Sequence, residues 1–151
     1  MGVLINNSQN RLKIRKIKVR KVAQVILNAL DCPEGELSIL IEDDDGIAKL
    51  NDKYLHRKGP TNVIAFPMRD SAFPENNNDL LGDVVISAET AEREGDYLGT
   101  GFNQRFAELL IHGILHLFGY DHEKSEQEAD EMESKASELL VLFENISFTS
   151  S

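Results

Sequence analysis

Apolar positions along the chain switch repeatedly between a strand-like and a helix-like rhythm. Val3, Leu4 and Ile5, closed by the Asn6-Asn7-Ser8 turn cluster, predict a short strand. Val19, Val22, Ala23, Ile26, Leu27 and Leu30 follow at intervals of three and four, the spacing of one helix face, and Pro33 and Gly35 end that helix. Glu36–Glu42, with Leu37, Ile39, Leu40 and Ile41, reads as a largely buried strand. Asp43-Asp44-Asp45 then supply N-cap and first-turn carboxylates to a helix reaching about Tyr54, with Ile47, Leu50 and Tyr54 expected inward. A calcium loop is excluded at the three aspartates, because the spaced ligands and terminal bidentate glutamate of an EF-hand are missing.

Arg57-Lys58-Gly59-Pro60-Thr61 reads as a loop, and Asn62–Phe66 as a strand of β-formers stopped by Pro67. Met68 to Asp79 is polar, carries Pro74 and Asn76-Asn77-Asn78, and reads as a long mobile loop. Leu81–Ser87 makes the next strand, and Ser87 or a neighbour caps a helix from about Ala88 to Tyr97. Gly99 and Gly101 separate this helix from an apolar one at about 103–118, and a glutamate-rich amphipathic helix covers about 125–143. Strands interleaved with helices, and helices gathered at the C-terminal end, imply an α+β fold. The expectation is one domain, 1–151, with a mixed sheet of about four strands, about five helices, and the 103–118 helix packed across the sheet.

Charge changes the picture only through its distribution. The net charge of −10 opposes binding to a polyanion. Residues 1–30, however, hold seven Lys/Arg (Arg11, Lys13, Arg15, Lys16, Lys18, Arg20, Lys21) and no Asp or Glu, leaving 9 basic against 26 acidic residues in 31–151. Such a run is commonly just a solvated face, yet its sign suits RNA. A single cysteine, Cys32, excludes an intramolecular disulfide and a cysteine-built zinc site, and reads as a small hydrophobe in a reducing, cytoplasmic setting. No stretch is long and apolar enough to suggest a membrane span, so no membrane partner is expected.

The chemistry concentrates in His112-Gly113-Ile114-Leu115-His116-Leu117-Phe118-Gly119-Tyr120-Asp121-His122, which holds three of the four histidines. Four helical residues are about 40° of net rotation and one turn of rise, so His112 and His116 share a face. Gly119 can end the helix in a left-handed residue and let the chain turn His122 back toward the pair. Three imidazoles leave one tetrahedral position open, the pattern of a catalytic zinc. The intervals equal those of the metzincin peptidase motif, but Gly113 stands where those peptidases place their glutamate base. A metal site is therefore expected without ordinary peptidase chemistry. Asp121 can serve as a base, as an acceptor orienting a ligand's free N–H, or as a turn residue bonding its own backbone. Tyr120 reads as a packed wall.

This eleven-residue run closely resembles the signature of the YbeY family of bacterial rRNA maturation factors, zinc-dependent endoribonucleases specific for single strands. Leu50-Asn51 and Tyr54, Pro60 through Pro67, and Leu80 through Ser87 agree as well, so the resemblance spans about 37–143. It implies a cytoplasmic enzyme that cuts single-stranded RNA rather than DNA, acts at the 3′ end of 16S rRNA and in ribosome quality control, and meets the small ribosomal subunit. It assigns His112, His116 and His122 as ligands of one Zn2+. The family usually has an arginine after the tyrosine of the second helix, where this chain has Leu55; Arg57, two residues on, is the substitute candidate, or simply an exposed arginine. Two other functions fit the histidines: a metal-dependent peptidase or amidase, and a ribosome-associated RNA-binding protein with a structural zinc.

Overall fold

A computed structural model describes residues 2–68, 79–121, 123 and 125–150. In chain order the elements are β1 (Val3–Asn7), α1 (Lys16–Ala29), β2 (Glu36–Glu42), α2 (Asp44–Leu55), β3 (Val63–Pro67), β4 (Leu80–Ser87), α3 (Ala88–Leu98), α4 (Phe102–Leu117) and α5 (Glu126–Leu140), the last followed by a 3-10 turn at Val141–Phe143. The four strands form one mixed sheet in the order β1-β2-β4-β3. β1 and β4 run parallel to β2, and β3 is antiparallel to β4. The α+β expectation of about four strands and about five helices holds among the described residues. The expected long loop falls mostly on 69–78, which lie outside the described residues.

Strand alternation sends side chains to two unequal faces. Ile39, Ile41, Val84 and Ile86 join the main core with α1, α3, α4 and α5, whereas Ile64 and Val85 meet Ile47 of α2 in a small cluster on the opposite face. α4 is the central helix of the larger layer: Phe106, Leu110, Ile114 and Leu115 are fully buried, and it packs directly on β3 and β4.

The helix starts are specified locally. The Asp43 carboxylate accepts from Gly46 N at 2.7 Å, and Ser125 Oγ accepts from Glu128 N at 3.1 Å. Ser87 Oγ accepts from Thr90 N at 3.1 Å while donating to Asp44 Oδ1 at 2.6 Å. Thr90 Oγ1 donates to the same oxygen at 2.6 Å, and Arg93 Nη1 to Asp44 Oδ2 at 2.8 Å, so one carboxylate ties the start of α2 to the start of α3. Partial burial pushes the Asp44 carboxyl up, but these three hydrogen bonds and the Arg93 charge outweigh it and hold the group below its ordinary value.

Two features differ from the sequence reading. Tyr54, expected inward, is 54% exposed: it leans edge-on against Phe66 at 5.6 Å between ring centroids, because α2 covers only the narrow Ile47–Ile64–Val85 cluster and its last turn overhangs the sheet. The segment after α5 is also more than a tail. Phe148 is fully buried with its ring 4.9 Å from that of Phe106, its N–H donates to Asn103 Oδ1 at 2.8 Å, and its carbonyl accepts from Arg15 N at 2.8 Å. With the Ile14–Thr149 bridge, this strap joins the approach to α1 to the base of α4.

Candidate active site

The last turns of α4 carry the histidines, and their local structure follows from three residues. His112 and His116 are half-buried while Ile111, Gly113, Ile114, Leu115 and Leu117 are buried, so the two rings form the open ridge of a helix otherwise sunk in the core. At Gly119 the backbone enters the left-handed region, φ +94°; its N–H donates to His116 O at 3.0 Å and Tyr120 N to Leu115 O at 3.1 Å. That pair of bonds is a Schellman ending, which reverses the chain in the way the glycine position implied. Tyr120 then packs partly buried against the main core, as a wall.

Gly113 has a second role that the sequence alone did not show. A Cβ built there would lie 2.5 Å from Val84 Cγ1 and 3.3 Å from Val63 Cγ2. The glycine thus marks a close approach of α4 to the sheet, and its missing side chain would point at β4. A glutamate at this position has no room to serve as a base, which argues against the peptidase reading on steric as well as chemical grounds.

Along the edge of the sheet beside α4 runs an open groove of about 730 Å³. It brings together His116, Asp121 and Arg57 with Asn51 and Leu55 of α2 and the β3 strand. His112 opens instead on a smaller neighbouring cleft with Leu98, Arg105 and Glu133. His122 lies outside the described residues, and among the described residues no three His, Cys, Asp or Glu side chains gather as a metal cluster. The donor chemistry of His112 nevertheless fits a metal. Its Nδ1 is 2.9 Å from Glu108 O, and because a carbonyl only accepts, this contact selects the Nδ1–H tautomer of the neutral ring, the one that leaves the Nε2 lone pair for a cation. His116 lies one turn on along the same helix and would be the second donor.

Asp121 accepts from Glu123 N at 2.8 Å, an Asx-type turn, so one of its oxygens is committed to the backbone that follows the histidine helix. Arg57 is exposed at the rim of the groove. Its loop is anchored by Asn51, a residue whose importance the composition of the site did not reveal. Asn51 is buried, its Nδ2 donates to Gly59 O at 3.0 Å, and its carbonyl accepts from Arg57 N at 3.3 Å. The available signal was its spacing: an amide four residues after Ile47 sits on the buried stripe of α2, where a polar group requires a partner.

A polar relay leads from the groove to the face of α4 that carries His112. Asn62 Oδ1 accepts from Val63 N at 2.7 Å while Nδ2 donates to Glu94 Oε1 at 3.2 Å. Arg105 Nε donates to Glu94 at 2.9 Å and its Nη1 to Glu108 at 3.0 Å. Burial lowers the Arg105 guanidinium, but the two carboxylates outweigh burial and raise it, so the cation is locked between α3 and α4. Asn62 thereby fixes the start of β3 relative to the helix bearing the histidines.

Fold and groove together define an α+β protein with a histidine-bearing helix laid across a mixed sheet and an open cleft along the sheet's antiparallel edge. The family model described as "Endoribonuclease YbeY" matches residues 4–144. The chain is 49% identical over 146 residues to the protein of that name from Geobacter sulfurreducens, covering 96% of this chain and 97% of the relative. It is 44% identical over 116 residues to the Aquifex aeolicus protein of the same name, covering 77% and 75%. A solution structure from Thermotoga maritima shares the fold with TM-score 0.62 at 23% identity, over 91% of this chain and 86% of that one. The chain belongs to the YbeY family of endoribonucleases.

Proposed function

We propose that this protein is a zinc-dependent endoribonuclease specific for single-stranded RNA, acting in 3′-end maturation of 16S rRNA and in ribosome quality control, with the small ribosomal subunit as its partner. The observation that carries the reading is the groove in which His116, Asp121 and Arg57 meet beside an open helix ridge, in a chain of an endoribonuclease family. His112, His116 and His122 would hold the metal, and zinc held there supplies Lewis acidity toward a phosphodiester and lowers the pKa of water.

The chain's own residues supply the remainder. Arg57, at the rim, offers a positive, planar fork to a phosphate in the groove, where opposite charge is favoured as negative charge builds on the scissile group. Asp121 keeps one oxygen on the turn and presents the other as a proton acceptor or as an orienting partner for a ligand imidazole. The groove is open, which suits an unpaired chain laid along it. No described helix is long and apolar enough to cross a membrane.

The test is cleavage of a single-stranded RNA by zinc-loaded protein, with His116→Ala as control. Metal-dependent cutting lost in the variant supports the reading. Equal cutting by the variant overturns it, and RNA binding without any cutting would favour an RNA-binding protein with a structural zinc.

A further inference from the structure

β3 is an edge strand, and its hydrogen-bond register decides what that edge offers the groove. Ser87 N donates to Asn62 O at 3.0 Å and Met68 N to Leu81 O at 2.9 Å, and between them the strands pair Ile64 with Val85 and Phe66 with Asp83. In an antiparallel ladder the hydrogen-bonded pairs alternate. Residues 62, 64, 66 and 68 are therefore the ones that bond to β4, and Val63 and Ala65 turn their backbone groups the other way, toward open edge. Both line the groove together with His116.

That edge is short and specific. The Val63 N–H is already taken by Asn62 Oδ1 at 2.7 Å, and Pro67 has no N–H. What remains is the Ala65 N–H and the carbonyls of Val63, Ala65 and Pro67, none of which bonds a described residue. A single donor among three acceptors is too little for an added β-strand, which needs a repeating row of both. It matches a planar group that presents one donor beside one acceptor. Every nucleobase does so on its Watson–Crick edge: adenine and cytosine through an amino group beside a ring nitrogen, uracil and guanine through a ring N–H beside a carbonyl.

We propose that the β3 edge binds one unpaired nucleobase of the RNA by its Watson–Crick edge, with the Val63 carbonyl as acceptor and the Ala65 N–H as donor. The inference rests on the endoribonuclease reading and deepens it. A paired base has no Watson–Crick edge to give, so the preference for single strands becomes a property of two backbone groups. Because all four bases can satisfy one donor and one acceptor, the contact selects unpaired over paired RNA without selecting a sequence. Asn62 contributes by occupying the Val63 N–H, which would otherwise place a second donor beside the site.

The experiment is a titration of the full-length, zinc-loaded, 15N-labelled protein with uridine 5′-monophosphate and with its N3-methyl counterpart. The two carry the same charge and have no internucleotide bond to cut. The expected result is a shift of the Ala65 amide resonance with uridine monophosphate and about tenfold weaker binding of the methylated form, the loss of about one to two hydrogen bonds. Equal binding of the two, or an Ala65 amide that does not move, overturns the proposal. So does a shift of that amide by an extended peptide and not by the nucleotide, which would make the edge a peptide-docking strand. Ala65→Pro removes the outward N–H without touching a ladder bond. Where its melting temperature is retained, the variant should cut single-stranded RNA with a KM raised about tenfold and kcat little changed; an unchanged KM counts against the proposal. If that variant does not fold, the methylated nucleotide still decides. Failure of the endoribonuclease reading is a different observation, the absence of cleavage by wild-type protein.

Discussion

A Cβ on Gly113 would stand 2.5 Å from Val84 Cγ1, so the helix that carries the histidines rests on the sheet at a point with no spare volume. Gly113→Ala should destabilise the fold by about 1–3 kcal/mol through overpacking, partly offset by about 1 kcal/mol of helix propensity. Denaturant unfolding measures the net loss. A variant as stable as wild type would mean that α4 can lift from β4 without cost.

Removal of a histidine donor separates chemistry from folding. His116 is half-buried on an open ridge, so His116→Ala should leave the fold intact in the zinc-free protein. The same variant should lose bound zinc and lower RNA cleavage at least about a hundredfold, the scale expected when a metal site is disrupted. Metal analysis and initial rates read the two effects independently.

Arg57 and Asp121 are distinguished by conservative changes. Arg57→Lys keeps a charge but loses the planar fork, and should lower cleavage by about tenfold with an unchanged melting temperature. Asp121→Asn keeps an oxygen able to accept from Glu123 N, so the turn survives. If the carboxylate takes part in the reaction, the variant cuts more slowly at an unchanged melting temperature; if it only shapes the turn, the rate stays that of wild type.

Asn51→Ala tests whether the rim loop is held from beneath. It leaves Gly59 O without its donor and should cost about 1–3 kcal/mol. Cleavage should fall further than stability explains, because the loop bearing Arg57 loses its anchor. A stable variant with full activity would show that the loop keeps its shape without Asn51.

The Asp44 network sets a pH dependence with a definite sign. The folded-state carboxyl is held below its ordinary value, so its contribution is fully present above about pH 4, the unfolded value, and is lost as pH falls through the lower folded value. Asp44→Asn should be less stable than wild type near neutrality, and the two melting curves should converge below about pH 4. Parallel curves across that window would mean the ion pair with Arg93 contributes nothing.

What the sequence revealed was mostly periodic or local. Helix starts at Asp43, Ser87 and Ser125, the β2 limits and the left-handed stop at Gly119 were legible because each depends on neighbours a few residues away. The α4 ridge followed from spacing alone, while the third histidine of the expected site, His122, lies outside the described residues. Tyr54 was misplaced because periodicity gives the face of a helix and not how far the sheet beneath it extends. The Asn62–Glu94–Arg105 relay was invisible because it joins residues from three elements. The basic N-terminal run proved to sit apart from the groove: α1 packs beside β1, at the opposite edge of the sheet from β3.

The buried Phe148 also bears on how the protein is made. Chain synthesis is vectorial, and the histidine helix leaves the ribosome some thirty residues before the phenylalanine that seats under its first turns. The helix therefore acquires its full packing only once the strap that also pins Arg15 has followed it out. A nascent chain stalled short of Phe148 would carry both α4 histidines on a helix whose base is still uncovered.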